Sequence, residues 1–157
     1  MEKFYVTLSQ LLQTHPRYRQ IIKIVGHFAS YVVAFAYGCI LLYMMMTHHP
    51  LLIETIIKPL IAFVFVTLFR KIVNRPRPYD VYDIESVEPH KHGQSFPSRH
   101  SVSAIIIALV CMKVNLTLGM IMTLLAIIVV STRLLGCLHF VSDIVAAMVI
   151  ALIINMF

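Results

Sequence analysis

Three short polar clusters in an otherwise apolar chain hold the residue types that reaction chemistry needs. The first, Arg70-Lys71-Ile72-Val73-Asn74-Arg75-Pro76-Arg77-Pro78, places four cations within eight residues. Guanidinium groups are permanently charged, and their forked donors match phosphate oxygens. The second is Ser95-Phe96-Pro97-Ser98-Arg99-His100-Ser101. A proline just ahead of a serine is a helix-start pattern, and the free backbone N–H groups at such a start favour an anion. The third is Ser131-Thr132-Arg133, followed by His139 and Asp143 four residues apart. A carboxylate beside an imidazole fixes the tautomer and frees the other ring nitrogen to act as nucleophile or base.

Taken singly, each cluster also has a structural reading. The cations can anchor a helix end at a membrane surface, Ser98 can be an N-cap, and Asp143 can make a helix-packing hydrogen bond. Jointly they supply the parts of a metal-free phosphoryl transfer. Arginines neutralise the phosphate oxygens, one imidazole attacks phosphorus, and a second protonates the leaving oxygen.

The elements that must position these residues follow from composition. Of 157 residues, 59% are hydrophobic and 13% charged, with a mean hydropathy of +0.85. A soluble domain carries about 25% charged residues, so a soluble or disordered chain is excluded. A crossing helix takes about 20 apolar residues, and five such spans are expected. They cover about Ile22–Met46, Leu51–Phe69, Ser98–Val114, Leu116–Leu134 and His139 to the C-terminus. Residues 1–20 read as an interfacial segment, with the apolar stretch 4–12 lying on the membrane as a helix. Residues 70–99 form the single long polar loop, and 1–157 is a single all-α, integral membrane helical bundle domain. The net charge of +6 sits beside apolar spans, so the expected partner is the anionic lipid bilayer rather than nucleic acid. Cys39, Cys111 and Cys137 lie in or beside apolar segments, without metal-type spacing.

Span counting brings the clusters together. The polar loop lies between spans two and three, and the connection between spans four and five returns to the same face. The N-terminal Lys3, Arg17, Arg19 and Lys23 share that side. By the positive-inside bias it would be cytoplasmic.

The clusters resemble the three signature motifs of the type 2 phosphatidic acid phosphatase superfamily, lipid phosphatases related to vanadium haloperoxidases. The first motif, Lys, six residues, Arg-Pro, stands here as Arg70, six residues, Arg77-Pro78. The second, Pro-Ser-Gly-His, is Pro97-Ser98-Arg99-His100. The third, Ser-Arg, five residues, His, three residues, Asp, is Thr132-Arg133, His139 and Asp143. The resemblance spans residues 70–143 and implies the following roles. His139 is the nucleophile that forms a phosphohistidine, and Asp143 orients it. His100 is the general acid. Arg70, Arg77 and Arg133 hold the phosphate, helped by Ser98 and by the backbone N–H of Arg99. No metal or other cofactor is implied.

Three residues depart from the motifs. Arg70 replaces lysine, and Lys71, one position on, would be turned about 100° away on a helix. Arg99 replaces glycine and can add a phosphate contact or point into the loop. Thr132 replaces serine. The family usually has six crossings, and its bacterial lipid phosphatases generally face outward, against the charge bias.

The resulting expectation is a membrane lipid phosphatase, in a bacterial cytoplasmic membrane. It would act on a lipid mono- or diphosphate of the phosphatidic acid, phosphatidylglycerol phosphate, undecaprenyl diphosphate or lipid A phosphate class. The alternatives are a lipid phosphotransferase and a non-enzymatic anion-binding or transport protein. Residues 79–94 carry Asp80, Asp83, Glu85, Glu88 and His90-Lys91-His92 without strong ligand spacing, and read as a solvated lid. Glu54 and Lys58 read as an i,i+4 pair near the opposite surface.

Overall fold

The computed structural model describes residues 2–88 and 92–157. His90 and Lys91 of the expected lid lie outside them. Among the described residues seven helices follow in order: α1 (Glu2–Thr14), α2 (Pro16–Met46), α3 (Leu52–Val73), α4 (Pro78–Val81), α5 (Arg99–Val114), α6 (Leu116–Leu135) and α7 (Val141–Met156). The chain is thus an all-α membrane bundle. Among the described residues, three helical segments are long and apolar enough to cross a bilayer: Pro16–Met46, Leu52–Val81 and Leu116–Leu135. Helices α5 and α7 have 16 residues each, about 24 Å at 1.5 Å per residue.

The shortness of α5 fits its place. It is the central helix, sharing one apolar seam with α2 and α6 and a second with α3 and α7. The first seam joins Ala29, Val33 and Met44 to Ala104, Ala108 and Cys111 and to Met122, Ala126 and Val129. The second joins Ala62 and Val66 to Val102 and Ile106 and to Ala147 and Ala151. Small residues dominate because lipid offers no hydrophobic drive for helix association, so close backbone approach and dispersion contacts must supply it. Gly119 is the limiting case: a Cβ there would stand 2.3 Å from the Met112 Cα. The outer faces invert the soluble pattern, with Phe28, Tyr31 and Phe35 of α2 and Leu124 and Ile127 of α6 exposed.

Each end of the bundle has its own polar cluster. Away from the three motif clusters, Glu54 accepts from Lys58 at 2.6 Å and from Lys113 at 2.7 Å, and both lysines also reach the Asn155 carbonyl. The expected i,i+4 pair is therefore part of a clamp tying the start of α3 to the ends of α5 and α7.

At the other end α1 does more than rest on a surface. Tyr5, Ser9 and Leu12 are buried, and Tyr5 and Leu12 pack against Val87, Cys137 and Phe140. Phe4 and Leu11 face outward. The loop after α4 is likewise stapled down rather than simply solvated. Arg19 pairs with Glu85 at 3.1 Å and donates to the Ser86 carbonyl, and Lys23 and His27 both pair with Glu88 at 3.1 Å. The Val87 N–H reaches the Gly136 carbonyl at 3.0 Å, and the Ser9 hydroxyl accepts the Glu85 N–H at 2.9 Å.

Candidate active site

The three clusters meet at one end of the bundle, as span counting requires, and local chain chemistry sets each in place. Helix α3 ends at Asn74, whose left-handed conformation (φ 41°) turns the chain back over the bundle. Its side-chain oxygen accepts the Gln94 N–H, tying the two ends of the polar loop. Pro76 and Pro78 cannot extend the helix and bias the residue before each toward extended backbone. Those residues are Arg75 and Arg77, and Arg77 is extended (φ −90°, ψ 166°). Asp80 accepts the N–H groups of Arg77 and Gly93, both at 2.9 Å, and contacts His92 at 2.6 Å. Partial burial opposes ionisation of Asp80, but these hydrogen bonds prevail and hold its carboxyl below the usual range.

A cavity of about 420 Å³ opens among these ends. Of the expected phosphate ligands, Arg70, Arg77, Arg99 and Arg133 line it, with Lys71 also on the wall. His100 and His139 line it too, and Glu88 supplies a carboxylate. Arg70 is buried (8% exposed) and is gripped through its Nε by the Gln94 carbonyl at 2.8 Å. Arg77 donates from its Nε to the Gly93 carbonyl at 3.1 Å. Arg133 donates to the Gly26 carbonyl and the Ser30 hydroxyl, while its buried Nε–H finds no acceptor among the described residues. Arg99 lies over the Phe63 ring, 5.3 Å from its centroid. Arg70, Arg77 and Arg133 are held by carbonyls rather than carboxylates, so their charge faces the cavity, where Glu88 offsets part of it.

Asp143 stands behind His139 and off the cavity wall. Helix α7 begins at Val141, two residues later than expected, so His139 lies in the connection ahead of it. The pair still meets, because Asp143 folds back on its own helix start and accepts the Phe140 N–H at 2.9 Å. The same oxygen, Oδ2, accepts the Ser95 hydroxyl and stands 3.4 Å from His139 Nδ1. Ser95 Oγ is also 3.4 Å from Nδ1. With the Ser95 proton committed to the carboxylate, Nδ1 faces two acceptor oxygens. That favours the tautomer with hydrogen on Nδ1 and a lone pair on Nε2. His139 is almost wholly buried (2% exposed). Burial lowers the imidazole pKa most; the Asp143 hydrogen bond opposes this, and Arg77 and Arg70 add to the lowering.

Ser98 does not line the cavity. It is wholly buried, accepts the Ser101 hydroxyl at 2.8 Å, and sends its N–H to the Asp143 carbonyl at 3.2 Å. Five further residues take part without being singled out by the sequence: Arg75, which donates to Asp143 Oδ1 at 2.9 Å, together with Ser95, Tyr5, Glu88 and His27. Arg75 carried a signal, being a guanidinium inside the first cluster. Tyr5, which accepts the Val141 N–H at 3.0 Å and donates to the His139 carbonyl at 3.4 Å, carried none. Among the described residues no three His, Cys, Asp or Glu side chains stand close enough to hold a metal ion.

Two solved structures share this architecture. LpxE of Aquifex aeolicus superposes with a TM-score of 0.75 at 23% identity, over 98% of this chain and 93% of that one. A PAP2-type phosphatidylglycerolphosphate phosphatase from Bacillus subtilis superposes at 0.63 with 17% identity, over 98% and 89%. No curated protein sequence matches the chain. The sequence profile of the PAP2 superfamily matches residues 52–157, which include every motif residue of the cavity, and the chain belongs to that superfamily.

Proposed function

We propose that the protein is a metal-independent membrane phosphatase that hydrolyses a lipid mono- or diphosphate through a phosphohistidine. One observation carries this reading: His139 is backed by Asp143 and Ser95 on Nδ1 and lines, together with His100, a cavity ringed by four guanidiniums. Nε2 of His139 attacks phosphorus, the bond from phosphorus to the leaving oxygen breaks, and His100 gives that oxygen a proton. Water then attacks the phosphohistidine, His100 takes its proton, and inorganic phosphate leaves. The guanidiniums stabilise the charge that grows on the phosphoryl oxygens in both steps.

A lipid substrate is supported by a second, apolar recess of about 200 Å³ that shares Arg99 and His100 with the cavity. Val33, Ala34, Phe63, Ala104, Ile107 and Val129 line it. The protein would cross a bacterial cytoplasmic membrane five times, and a head group approaching sideways from the bilayer can reach the arginines while the first part of its chain stays in apolar surroundings.

The test is phosphate release by purified protein from phosphatidic acid, phosphatidylglycerol phosphate, an isoprenyl diphosphate and a lipid A phosphate. Release from at least one, falling by about a thousandfold or more in His139→Ala, is the expected result. Failure of the wild type to release phosphate from any of them overturns the reading.

A further inference from the structure

Arg75 is one of the six unspecified positions of the first motif, between Arg70 and Arg77. Its guanidinium Nη1 donates to Asp143 Oδ1 at 2.9 Å and to the Ser142 hydroxyl at 2.8 Å. Its flat face stacks on two rings, 4.5 Å from the Phe140 centroid and 5.8 Å from that of Phe96. The Arg75 carbonyl accepts the Ser95 N–H at 2.9 Å, so the residue also fixes the backbone of the serine that bridges Asp143 and His139. Arg75 does not line the cavity. A residue pinned on two aromatic faces, with its donors on the back of the carboxylate behind the nucleophile, is placed to act on the nucleophile and not on the phosphate.

The two Asp143 oxygens have separate duties. Oδ2 takes the Ser95 hydroxyl and the Phe140 N–H and faces His139; Oδ1 takes Arg75. A carboxylate held from one oxygen alone can rotate about its last bond. Held from both, its plane is set, and with it the direction from which Nδ1 is approached. Arg75 also shares the carboxylate charge, which would otherwise act wholly on His139.

Resting on the reading of His139 as nucleophile, we infer that Arg75 is a positioning residue, which fixes the Asp143 carboxylate from behind and limits how strongly it raises the basicity of His139. The charged and titratable groups around His139 among the described residues are Arg70, Lys71 and Arg77 from the end of α3 and its link, Glu88 from the loop, His27 from α2, Arg99 and His100 from α5, Arg133 from α6 and Asp143 from α7. Arg75 alone among the cations near Asp143 reaches it by a direct hydrogen bond among the described residues.

Its removal has a sign. A unit charge one carboxylate removed, at an effective dielectric near 20, moves a titration midpoint by about one to two pH units. The 34% exposure of the Arg75 side chain places the effect near the lower figure. The experiment is the NMR titration of His139 in detergent-solubilised protein, its signal assigned by loss in His139→Gln, alongside kcat and KM. In Arg75→Met the midpoint rises by about one unit, and kcat falls about tenfold with KM within about twofold. In Arg75→Lys the charge returns without the fork, so the midpoint recovers and kcat recovers only in part. An unchanged midpoint in Arg75→Met overturns the inference, as does a lowered melting temperature with kcat intact. Should Arg75→Met fail to fold, Arg75→Lys decides: a wild-type kcat shows that the two-pronged grip is not needed and overturns the inference. The titration needs no turnover, so a wild type inactive on every lipid would refute the phosphatase reading and still leave Arg75 decided.

Discussion

Replacing Tyr5 by phenylalanine tests whether α1 is part of the catalytic end or merely attached to it. The ring is wholly buried, and its neighbours Phe4, Tyr82 and Phe140 lie 5.1–6.1 Å away between centroids. Phenylalanine keeps all of these contacts. What it loses is the oxygen that accepts the Val141 N–H, the first donor of α7, at 3.0 Å, and a weak donation to the His139 carbonyl at 3.4 Å. Burial raises the Tyr5 pKa, despite the opposing Val141 hydrogen bond, so the hydroxyl keeps its proton for that donation. A buried N–H left without an acceptor costs about 1–3 kcal/mol, or about 4–8 °C at a middle value of 2 kcal/mol for a chain of this size. Because the lost bonds hold the His139 carbonyl and the Val141 N–H just after it, kcat is expected to fall by about three- to tenfold while KM holds. The unfolding assay is built in: Cys137 packs in the same cluster and is buried, with its thiol pushed up to about 11 by burial. A thiol-reactive dye therefore reports the opening of this region. Tyr5→Ala should cost about 3–5 kcal/mol, since the packing goes as well. A Tyr5→Phe protein with unchanged melting temperature and kcat would refute the reasoning, for it would mean that water or a shifted backbone satisfies Val141 at no cost.

Other expectations concern charge and packing. His139 must be neutral at Nε2 to attack, and its pKa lies below the ordinary 6.5. The acid limb of kcat/KM, corrected for substrate ionisation, should then fall below pH 6.5; a midpoint above 7 would contradict it. The same depression acts on stability, which is complete above about pH 6.5 and declines as pH falls, because the unfolded imidazole binds the proton more readily; melting temperature against pH reads this. Arg70→Met should lower kcat/KM by about a hundredfold or more, against less than about fivefold for Lys71→Met, since Arg70 is buried and fixed on the Gln94 carbonyl whereas Lys71 is exposed; equal losses would reassign the first motif. Gly119→Leu should melt well below the wild type without altering KM, because its Cβ meets the Met112 backbone; an unchanged melting temperature would show that α5 and α6 can separate freely.

The parts of this structure legible in the sequence are those fixed by period and parity. Hydrophobic length located the helices to within a few residues, and the count of turns placed Arg70, His100, Arg133 and His139 at one end without knowledge of any contact. The starts of α2 and α7 were less legible: Pro16 opens α2 ahead of the apolar stretch that begins at Ile22, and α7 opens at Val141 because Asp143, not His139, makes the N-terminal hydrogen bond. The motif names Ser98, whereas its orientation depends on Ser101 and on the Asp143 carbonyl 45 residues away in sequence. Tyr5 was invisible for the same reason, since its partners lie more than 130 positions away. Partner choice at long range is a property of the packed bundle, and no local pattern encodes it.

The cations of the N-terminal region show what this means for reading charge in a membrane chain. By sequence, Lys3, Arg17, Arg19 and Lys23 formed an unexplained positive group beside the motifs, and so argued for a cytoplasmic face. In the fold Arg19 is bound to Glu85 and the Ser86 carbonyl, and Lys23 to Glu88, which also holds His27. Each is half of an ion pair that pins the loop over the cavity. At the other end Lys58 and Lys113 converge on Glu54. The bias counts Lys and Arg flanking a span during insertion and takes little account of acids, so a pairing made in the fold does not remove a cation from the count. Here two of the four are matched by acids on their own side, and Arg70, Arg77, Arg99 and Arg133 line the cavity. Lys71 lines the same cavity, and only Lys58 and Lys113 stand at the other end among the described residues, so the charge bias and the phosphate site draw on one set of cations.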